Sequence, residues 1–487
     1  MVQRVLFSLL LFLLVSGCSE KPKEQTSTGE RPVLRVACSG KYPPFSFYDA
    51  QGELTGFDVD VSKAIAEAMG RDVEVITTEW SGIIAGLQAG RYDAIIGSMG
   101  VTPEREQMVL FSEPYYISGA QLFVRSADQD RYRSIEDMKG KSIGAGIGST
   151  YQLYVEKEFP EITVRSYPSE QAIFEDMAAG RLDGFVTDRL VGMFNAKSAG
   201  QDFVPVGDLL YDERVAIPVT FANADLLEEI NAALVEIEVN GTMQALRDKY
   251  FALPQEPVVV PANVVAEKLG KGFLITIYAS ALAIGLGFLL AIPFGIGIKS
   301  APQPFRTILR LTNEFIRGTP FLVQLLFVYY ALPKLVSQWT GLEGVAENFS
   351  PIQAGIVTLM LNTSAYMAEV VRSGLIAVPA GQALAARALG MNKFQTFRYV
   401  IWPQAFRVMI PPLMNSVVAT IKDTAMLSVI SVAEVVTEAQ KLISVTFDPM
   451  QYYLYVALLY FILSWPLMKA AQRLEENIRK KGFTENA

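Results

Sequence analysis

Histidine is absent from the 487 residues of this chain, and only two cysteines are present. The missing imidazole removes the commonest acid/base group at neutral pH and the commonest metal ligand. We therefore expect neither a metalloenzyme nor a hydrolase with a Ser-His-Asp triad, and we predict no catalytic residue, no metal site and no cofactor. The net charge of −8 lacks the basic excess that nucleic-acid binding requires, so no nucleic-acid partner is expected.

The N-terminus has the parts of an export signal. Arg4 supplies a positive charge, residues 5–15 form an apolar stretch too short for most spanning helices, and two small residues precede Cys18. The ending "LVSGC" resembles a bacterial lipoprotein box, which implies cleavage before Cys18 and lipid on its thiol. An uncleaved membrane anchor is the alternative, and both place the following chain outside the cytoplasm. We predict a signal peptide over 1–17 and a flexible tether over 18–32.

Short β-branched runs alternate with helical stretches between residues 33 and 254. Strands separated by helices of about 10–15 residues favour crossover units and largely parallel sheets. The pattern occurs before and after "GAQLFVRS", which predicts two similar lobes, with the chain passing between them there and again near "VAIPVTFAN". The other cysteine, Cys38, lies in the alternating apolar run "VLRVACSG" and is predicted to be a buried strand residue.

The proline-rich sequence "LPQEPVVVPAN" marks a domain boundary, with a linker over 255–264. The helical domain that follows covers 265–475 and the tail 476–487. Apolar segments in this half reach the roughly 20 residues that a membrane-spanning helix needs. The five predicted spans are Phe273–Ile298, Phe315–Val336, Ile352–Val378, Val408–Val432 and Tyr452–Met468.

Basic residues are concentrated in every second connection between these spans. With the first domain outside, the first and third connections and the C-terminal tail face the cytoplasm, and all three are basic. The intervening outer connection holds Glu343 and Glu347 instead. The charges therefore predict a multi-pass membrane protein with a cytoplasmic C-terminus.

The third connection, residues 380–397, contains small and basic residues and no acid. Pro379 ends the preceding span, Trp402-Pro403 bounds the other side, and Gly390 is expected at a bend between two short helices. Small side chains on an exposed helix allow close approach of another protein. We interpret the stretch as a cytoplasmic docking surface.

This stretch, continued as "GQALAARALGMNKFQTFRYVIWPQAFRVMIPPLMN", closely resembles the coupling loop of bacterial ABC importer permeases for polar amino acids. The sequences "NEFIRGTPFLVQLLF" and "IKDTAMLSVI" carry the same resemblance. It implies that the loop fits a groove on a separate ATPase subunit, and that two copies of this chain and two ATPase subunits assemble in the inner membrane. The corresponding coupling residues are Gly381, Leu384, Ala385, Ala386 and Gly390. The family's usual glutamate is replaced here by Leu384.

The exported half resembles the family 3 solute-binding proteins of the same importers, through "GELTGFDVDVSKAIAEAMG", "WSGIIAGLQAGRYDAIIGSMGVTPEREQMVLFSEPYY" and "NGTMQALRDKYF". The two resemblances together imply an α/β two-lobed periplasmic-binding-protein clamp, closing on a free amino acid, followed by an all-α five-helix transmembrane permease domain.

The resemblance also assigns the ligand contacts. Arg105 corresponds to the arginine that holds the α-carboxylate, for which a planar guanidinium is suited. Asp188 corresponds to the acid that binds the α-ammonium. The remaining predicted contacts are the aromatic walls Tyr42 and Trp80, the polar groups of Ser98 and Gly100, and a donor from the second lobe, Thr150.

Positions that select the amino-acid side chain are less typical here. Ser39 stands where several relatives have aspartate, and Gly146 and Thr187 stand where others have larger polar groups. The missing acid at position 39 weakens the case for a cationic amino acid. Glu79 lies nearby in the sequence, so the preferred amino acid stays open.

Other proteins with a two-lobed domain fit this sequence less well. A ligand-gated channel would insert its pore helices between the lobes, a sensor would need a cytoplasmic signalling domain, and an enzyme would need an acid/base pair in the cleft. The sequence "GKS" at residues 140–142 is not a phosphate-binding loop, because the first glycine of that motif would fall on Ile135. The sequence therefore predicts a transporter subunit that is not itself an enzyme and that relies on a separate ATPase.

Overall fold

The computed structural model describes residues 31–198, 200–253, 259–341 and 349–480. The predicted signal peptide, most of the tether, the lipidation site Cys18 and the acids Glu343 and Glu347 lie outside the described residues. The chain forms two units. One comprises residues 31–268 together with Glu438–Tyr452, and the other comprises Leu269–Thr437 together with residues 453–480.

The first unit contains twelve strands among the described residues. They are β1 Val33–Cys38, β2 Phe47–Tyr48, β3 Leu54–Thr55, β4 Asp72–Thr77, β5 Ala94–Ile95, β6 Leu110–Phe111, β7 Tyr116–Arg125, β8 Ser142–Gly146, β9 Thr163–Tyr167, β10 Gly184–Asp188, β11 Phe203–Val215 and β12 Pro218–Val219. Its helices are α1 Phe57–Ala68, α2 Ile83–Gln88, α3 Pro103–Glu106, α4 Thr150–Glu158, α5 Glu170–Ala178, α6 Arg189–Ser198, α7 Ala224–Val239 and α8 Thr242–Tyr250.

Ten of these strands form two five-stranded sheets, one in each lobe, and β2 and β3 form a separate pair. The first has the order β4-β1-β5-β12-β6 and the second the order β11-β7-β10-β8-β9. Within them β1 is parallel to β4 and β5, and β8 is parallel to β9 and β10. The predicted pair of lobes is confirmed, but the prediction of largely parallel sheets is wrong. Each five-stranded sheet has two parallel and two antiparallel pairings, because β7, β11 and β12 pair in the antiparallel sense. The long antiparallel strands β7 and β11 lie where the sequence predicted that the chain passes between the lobes.

Periodic apolar residues explain why each lobe has its own core. In α1, Phe57, Val61 and Ile65 recur every fourth residue, so they lie on one face of the helix. That face is buried against Leu34 and Val36 of β1. Cys38, at the end of β1, is fully buried and unpaired as predicted, and burial raises the pKa of its thiol to about 12, so it is inert.

The second unit is helical. Its elements are α9 Ala262–Ser300, α10 Phe305–Gly318, α11 Phe321–Leu326, α12 Leu332–Thr340, α13 Pro351–Ala377, α14 Ala380–Ala388, α15 Lys393–Gln395, α16 Trp402–Asp423, α17 Val435–Thr446 and α18 Pro449–Lys480. Residues 262–268 of α9, 438–446 of α17 and 449–452 of α18 are assigned to the first unit. Among the described residues, five helical runs are long and apolar enough to cross a membrane, as predicted.

Two predicted boundaries of the spans are wrong. The second span begins at Phe321 rather than Phe315, because Thr319 is extended before Pro320 and the amphipathic helix α10 ends there. The fourth helical run begins at Lys393 and continues through Trp402-Pro403, which was expected to bound the loop. A π-helical segment, Thr396–Ile401, lies within this run directly before Trp402-Pro403.

Small residues let two of the long helices approach closely. A Cβ atom added at Gly295 of α9 would lie 2.6 Å from the carbonyl oxygen of Ala368 in α13, and one at Gly287 would lie 3.2 Å from that of Met360. Membrane helices associate by such close packing because lipid gives no hydrophobic drive between them. The glycines of the first predicted span therefore position it against the third.

The predicted docking surface consists of two short helices, α14 and α15, with Gly390 between them in the left-handed region at φ +84°. The predicted bend is confirmed. Leu384 is 68% exposed, and Leu389 and Phe394 are also exposed, whereas the predicted coupling residue Ala386 is buried. Apolar side chains on this surface therefore face outward from the helical unit.

Candidate functional site

The first unit contains a cavity of about 100 Å³ that is lined by residues from both lobes. Ser39 follows β1 and Ser98 lies just beyond β5, while Gly146 ends β8 and Tyr167 ends β9. Parallel strands bring their carboxyl ends to one edge of a sheet, which is where open α/β sheets bind ligands. The cavity is thus built by two such edges.

Six of the seven predicted contacts line this cavity. They are Tyr42, Trp80, Ser98, Gly100, Arg105 and Thr150. Two of the positions considered for selectivity, Ser39 and Gly146, line it as well. The structure therefore brings these residues to one cavity although they are far apart along the chain, and their contact with a ligand stays a prediction.

Arg105 is held by its own short helix and by both lobes. Thr102 caps α3 by accepting a hydrogen bond from the Arg105 N–H at 3.2 Å. The guanidinium, only 8% exposed, donates from Nη1 to the Gly100 carbonyl at 2.7 Å and from Nη2 to the Gly148 carbonyl at 3.2 Å. It also lies 5.6 Å from the centre of the Trp80 ring. Because arginine has five N–H donors, the group keeps capacity for an anion.

Asp188 is the predicted contact that does not line the cavity. It ends β10, is 2% exposed, and its Oδ1 accepts from the N–H groups of Leu190 at 2.8 Å and Val191 at 3.1 Å, at the start of α6. Burial raises the pKa of its carboxyl to about 6. Burial raises the pKa of the Tyr42 hydroxyl, and the charge of Asp188 raises it further, so Asp188 interacts electrostatically with this residue of the cavity wall. Its contact with an ammonium group stays a prediction.

Glu213 is a cavity residue that the sequence reasoning missed. Its carboxylate is buried and accepts hydrogen bonds from the hydroxyls of Thr150 and Tyr151. Burial raises the pKa of Glu213, and the charge of Arg105 opposes that shift. A side chain at Gly100 would overlap this carboxylate, which explains the glycine there. The alternation of inward and outward side chains in β11 could have predicted this residue, because Glu213 occupies an inward position.

The Ser98 hydroxyl, predicted to face the ligand, is already engaged. It donates to Asp58 Oδ2 at 2.8 Å, and the Tyr115 hydroxyl donates to Asp58 Oδ1 at 2.7 Å. Asp58 is fully buried, and burial raises the pKa of its carboxyl to about 7. Ser98 has φ +54°, a region that non-glycine residues rarely adopt. Its hydroxyl therefore fixes the wall, and its N–H donates to the Tyr115 hydroxyl at 3.1 Å. A ligand contact through its carbonyl stays a prediction.

Two further acids line the cavity. Glu79, noted as nearby in sequence, forms an ion pair with Lys41, so its charge is neutralised. Glu170, which was missed, is 5% exposed, and its Oε1 accepts from the Thr187 hydroxyl at 2.9 Å. Burial raises the pKa of Glu170 to about 7. An acid at the first position of a helix is usually there because it interacts favourably with the helix dipole. The sequence therefore did not indicate that Glu170 would line the cavity.

Comparison with known families agrees with this architecture. Residues 34–253 match the bacterial extracellular solute-binding proteins, family 3, and residues 283–480 match the binding-protein-dependent transport system inner membrane component. The chain belongs to both families. It is a solute-binding protein fused to an ABC permease, and both resemblances seen in the sequence are confirmed.

Curated relatives of this fusion cover its solute-binding half. The L-cystine-binding protein TcyJ of Escherichia coli is 31% identical over 51% of this chain and 95% of its own length. The ABC transporter arginine-binding protein 1 of Escherichia coli is 34% identical over 45% of this chain and 90% of its own length. The L-arginine-binding protein of Pseudomonas aeruginosa is 35% identical over 47% of this chain and 90% of its own length.

Among solved structures, an ancestral arginine-binding protein bound to arginine is 36% identical, with a TM-score of 0.44 over 46% of this chain and all of that one. The two matched families, a solute-binding protein and an inner membrane transport component, are those of a transporter.

Proposed function

We propose that this chain captures a polar amino acid outside the cytoplasm and passes it through the membrane in an importer driven by a separate ATPase. The observation that carries the proposal is the buried guanidinium of Arg105, held between carbonyls of both lobes in a cavity that also contains carboxylates. An amino acid needs one cation and one anion at its α-carbon, and this cavity has both.

The α-carboxylate is assigned to Arg105. A planar guanidinium can bind a carboxylate with two parallel hydrogen bonds, and each hydrogen bond to a charged group contributes about 1.5–3 kcal/mol. Tyr42 and Trp80 supply the aromatic walls that keep water away from this pair. Because Gly100 and Gly148 belong to different lobes, a ligand at Arg105 would favour the closed form of the clamp.

The α-ammonium has two candidate partners. Asp188 is the partner implied by the resemblance, and it interacts electrostatically with Tyr42 of the cavity wall. Glu213 lines the cavity directly and interacts electrostatically with Arg105. The names of the relatives, which bind arginine or cystine, support an amino-acid ligand in either arrangement.

The connection formed by α14 and α15 is assigned to the ATPase. Its exposed Leu384, Leu389 and Phe394 and its lack of acids suit docking onto another protein. Leu384 would make an apolar contact where the family has a carboxylate, beside Gly381, Ala385, Ala386 and Gly390. Two copies of the chain would bind two ATPase subunits, in the inner membrane, with the clamp outside and the C-terminus in the cytoplasm.

Uptake by proteoliposomes tests the proposal. We expect vesicles that contain the full chain and its cognate ATPase to accumulate labelled amino acids only when nucleotide is supplied on the ATPase side. Arg105→Ala should reduce accumulation at least about 10-fold, since it removes a hydrogen-bonded ion pair. Glu104→Gln, an exposed neighbour on the same helix, is the matched control. Nucleotide hydrolysis without accumulation of any amino acid would refute the proposal.

A further inference from the structure

The cavity holds more carboxyl groups than cationic groups. Among the described residues its charged lining consists of Lys41, Glu79, Arg105, Glu170 and Glu213. Lys41 and Glu79 neutralise each other in an ion pair. A single arginine is then left with two carboxyl groups. A neutral zwitterion would bring one charge of each sign and would leave one carboxyl group in the cavity without a cation.

The two carboxyl groups differ in how well they are satisfied. Both oxygens of Glu213 accept hydroxyl hydrogen bonds, from Thr150 and Tyr151. Glu170 has only one such partner, the Thr187 hydroxyl on Oε1, and its buried Oε2 has no hydrogen-bond partner among the described residues. Leaving a buried polar atom unpaired is costly, so a carboxylate oxygen in this state at a ligand cavity indicates a donor that arrives with the ligand.

We infer that Glu170 binds the positively charged side chain of the ligand, so that the substrates are cationic amino acids with a guanidinium or terminal ammonium group. This rests on the proposed function, since it names the substrate class of the same cavity. The first lobe lacks an acid at Ser39, and its Glu79 is paired with Lys41. The second lobe supplies the missing carboxylate instead, from the first residue of α5.

A ligand with two amino-acid ends, such as cystine, fits the charges less well. Its second ammonium could reach a carboxylate, but its second carboxylate would need another cation. The only other cation among the described lining residues is Lys41, which is already held by Glu79. A neutral amide would donate to Glu170 without neutralising it. The charges of the cavity thus favour one extra positive charge on the ligand.

Calorimetric titration of the full chain in lipid nanodiscs tests this assignment, with L-arginine, L-lysine, L-glutamine and L-cystine at a pH above the pKa of Glu170, about 7. We expect arginine and lysine to bind at least about 10-fold more tightly than glutamine. Glu170→Gln should weaken arginine binding by about 10- to 100-fold and leave glutamine binding within about 3-fold. Glu175→Gln, exposed on the same helix, should change neither affinity.

The outcomes separate this inference from the proposed function. Tighter binding of glutamine or cystine by the unaltered chain would overturn the inference and keep the function. Equal weakening of all ligands by Glu170→Gln would also overturn it, because a merely structural role would affect every ligand. If no amino acid binds at all, both the inference and the proposed function fail.

Discussion

At the scale of single residues, the cavity depends on buried carboxyl groups that hold its wall in place. Asp58 fixes the Ser98 hydroxyl and the Tyr115 hydroxyl, and Glu213 fixes Thr150 and Tyr151. Buried acids of this kind favour protonation, because desolvation penalises their charged form. The wall of the site should therefore be sensitive to pH even where no ligand is bound.

We predict that Asp58→Asn flattens the pH dependence of stability. The folded pKa of Asp58, about 7, lies above its ordinary value of 3.8, so the folded state retains a proton that the unfolded chain loses. Stability is therefore lost as pH rises from about 4 to 7, by up to about 4 kcal/mol at about 1.4 kcal/mol per pKa unit. Asparagine mimics the protonated acid and avoids that loss.

Thermal unfolding of the full chain, followed by tryptophan fluorescence at pH values below and above 7, measures this effect. Asp60→Asn is the control, because Lys249, Lys63 and Tyr250 hydrogen-bond its carboxyl and its pKa is lowered to about 2. Because the pKa of Asp60 is lowered, its contribution to stability is lost as pH falls from about 4 to 2, and it adds no pH dependence to stability near neutrality. An equal loss of stability toward neutral pH in Asp58→Asn and the unaltered chain would contradict the assignment.

At the scale of elements, short breaks between helices and strands place the functional groups. Strand ends bring the cavity residues together in the first unit. In the second unit, Pro320 separates α10 from α11, and Gly390 separates α14 from α15. Gly390 is the position where the backbone conformation itself requires glycine, since φ is +84° and a side chain there would be strained despite open space.

We predict that Gly390→Ala impairs coupling and leaves ligand binding intact. The substitution strains the turn between α14 and α15 by about 1 kcal/mol and shifts their relative orientation. Ligand-stimulated ATP hydrolysis by the assembled importer should fall several-fold, while calorimetric affinity for the amino acid is unchanged. Gly318→Ala, at a helical glycine with open space and no positive φ, should retain stimulation. Unchanged stimulation in Gly390→Ala would remove this turn from the coupling surface.

At the scale of the whole molecule, one polypeptide carries the clamp and a five-helix permease. The fusion sets a one-to-one ratio of clamps to permease domains. Permease domains of this family work in pairs according to the resemblance, so the assembled importer should carry two clamps.

We predict that the purified importer contains two copies of this chain and two ATPase subunits. Native mass spectrometry of the detergent-solubilised complex, prepared from this 53.6-kDa sequence, should give a mass that includes two copies of the chain. Cross-linking without the ATPase is the control for a pair formed by the permease alone. A complex with a single copy of this chain would contradict the pairing.

The sequence by itself determined the architecture. Hydrophobic periods, apolar run lengths and loop charges act locally, so two lobes, five spans and the bend at Gly390 could be read from the residues in order. Motif resemblance added Arg105, Trp80 and Tyr42 to the cavity. The tertiary structure alone decided which acids meet there, because burial and pairing depend on segments far apart in sequence. Glu79 forms an ion pair with Lys41, and Asp188 caps α6 and does not line the cavity. Glu170 and Glu213 line it.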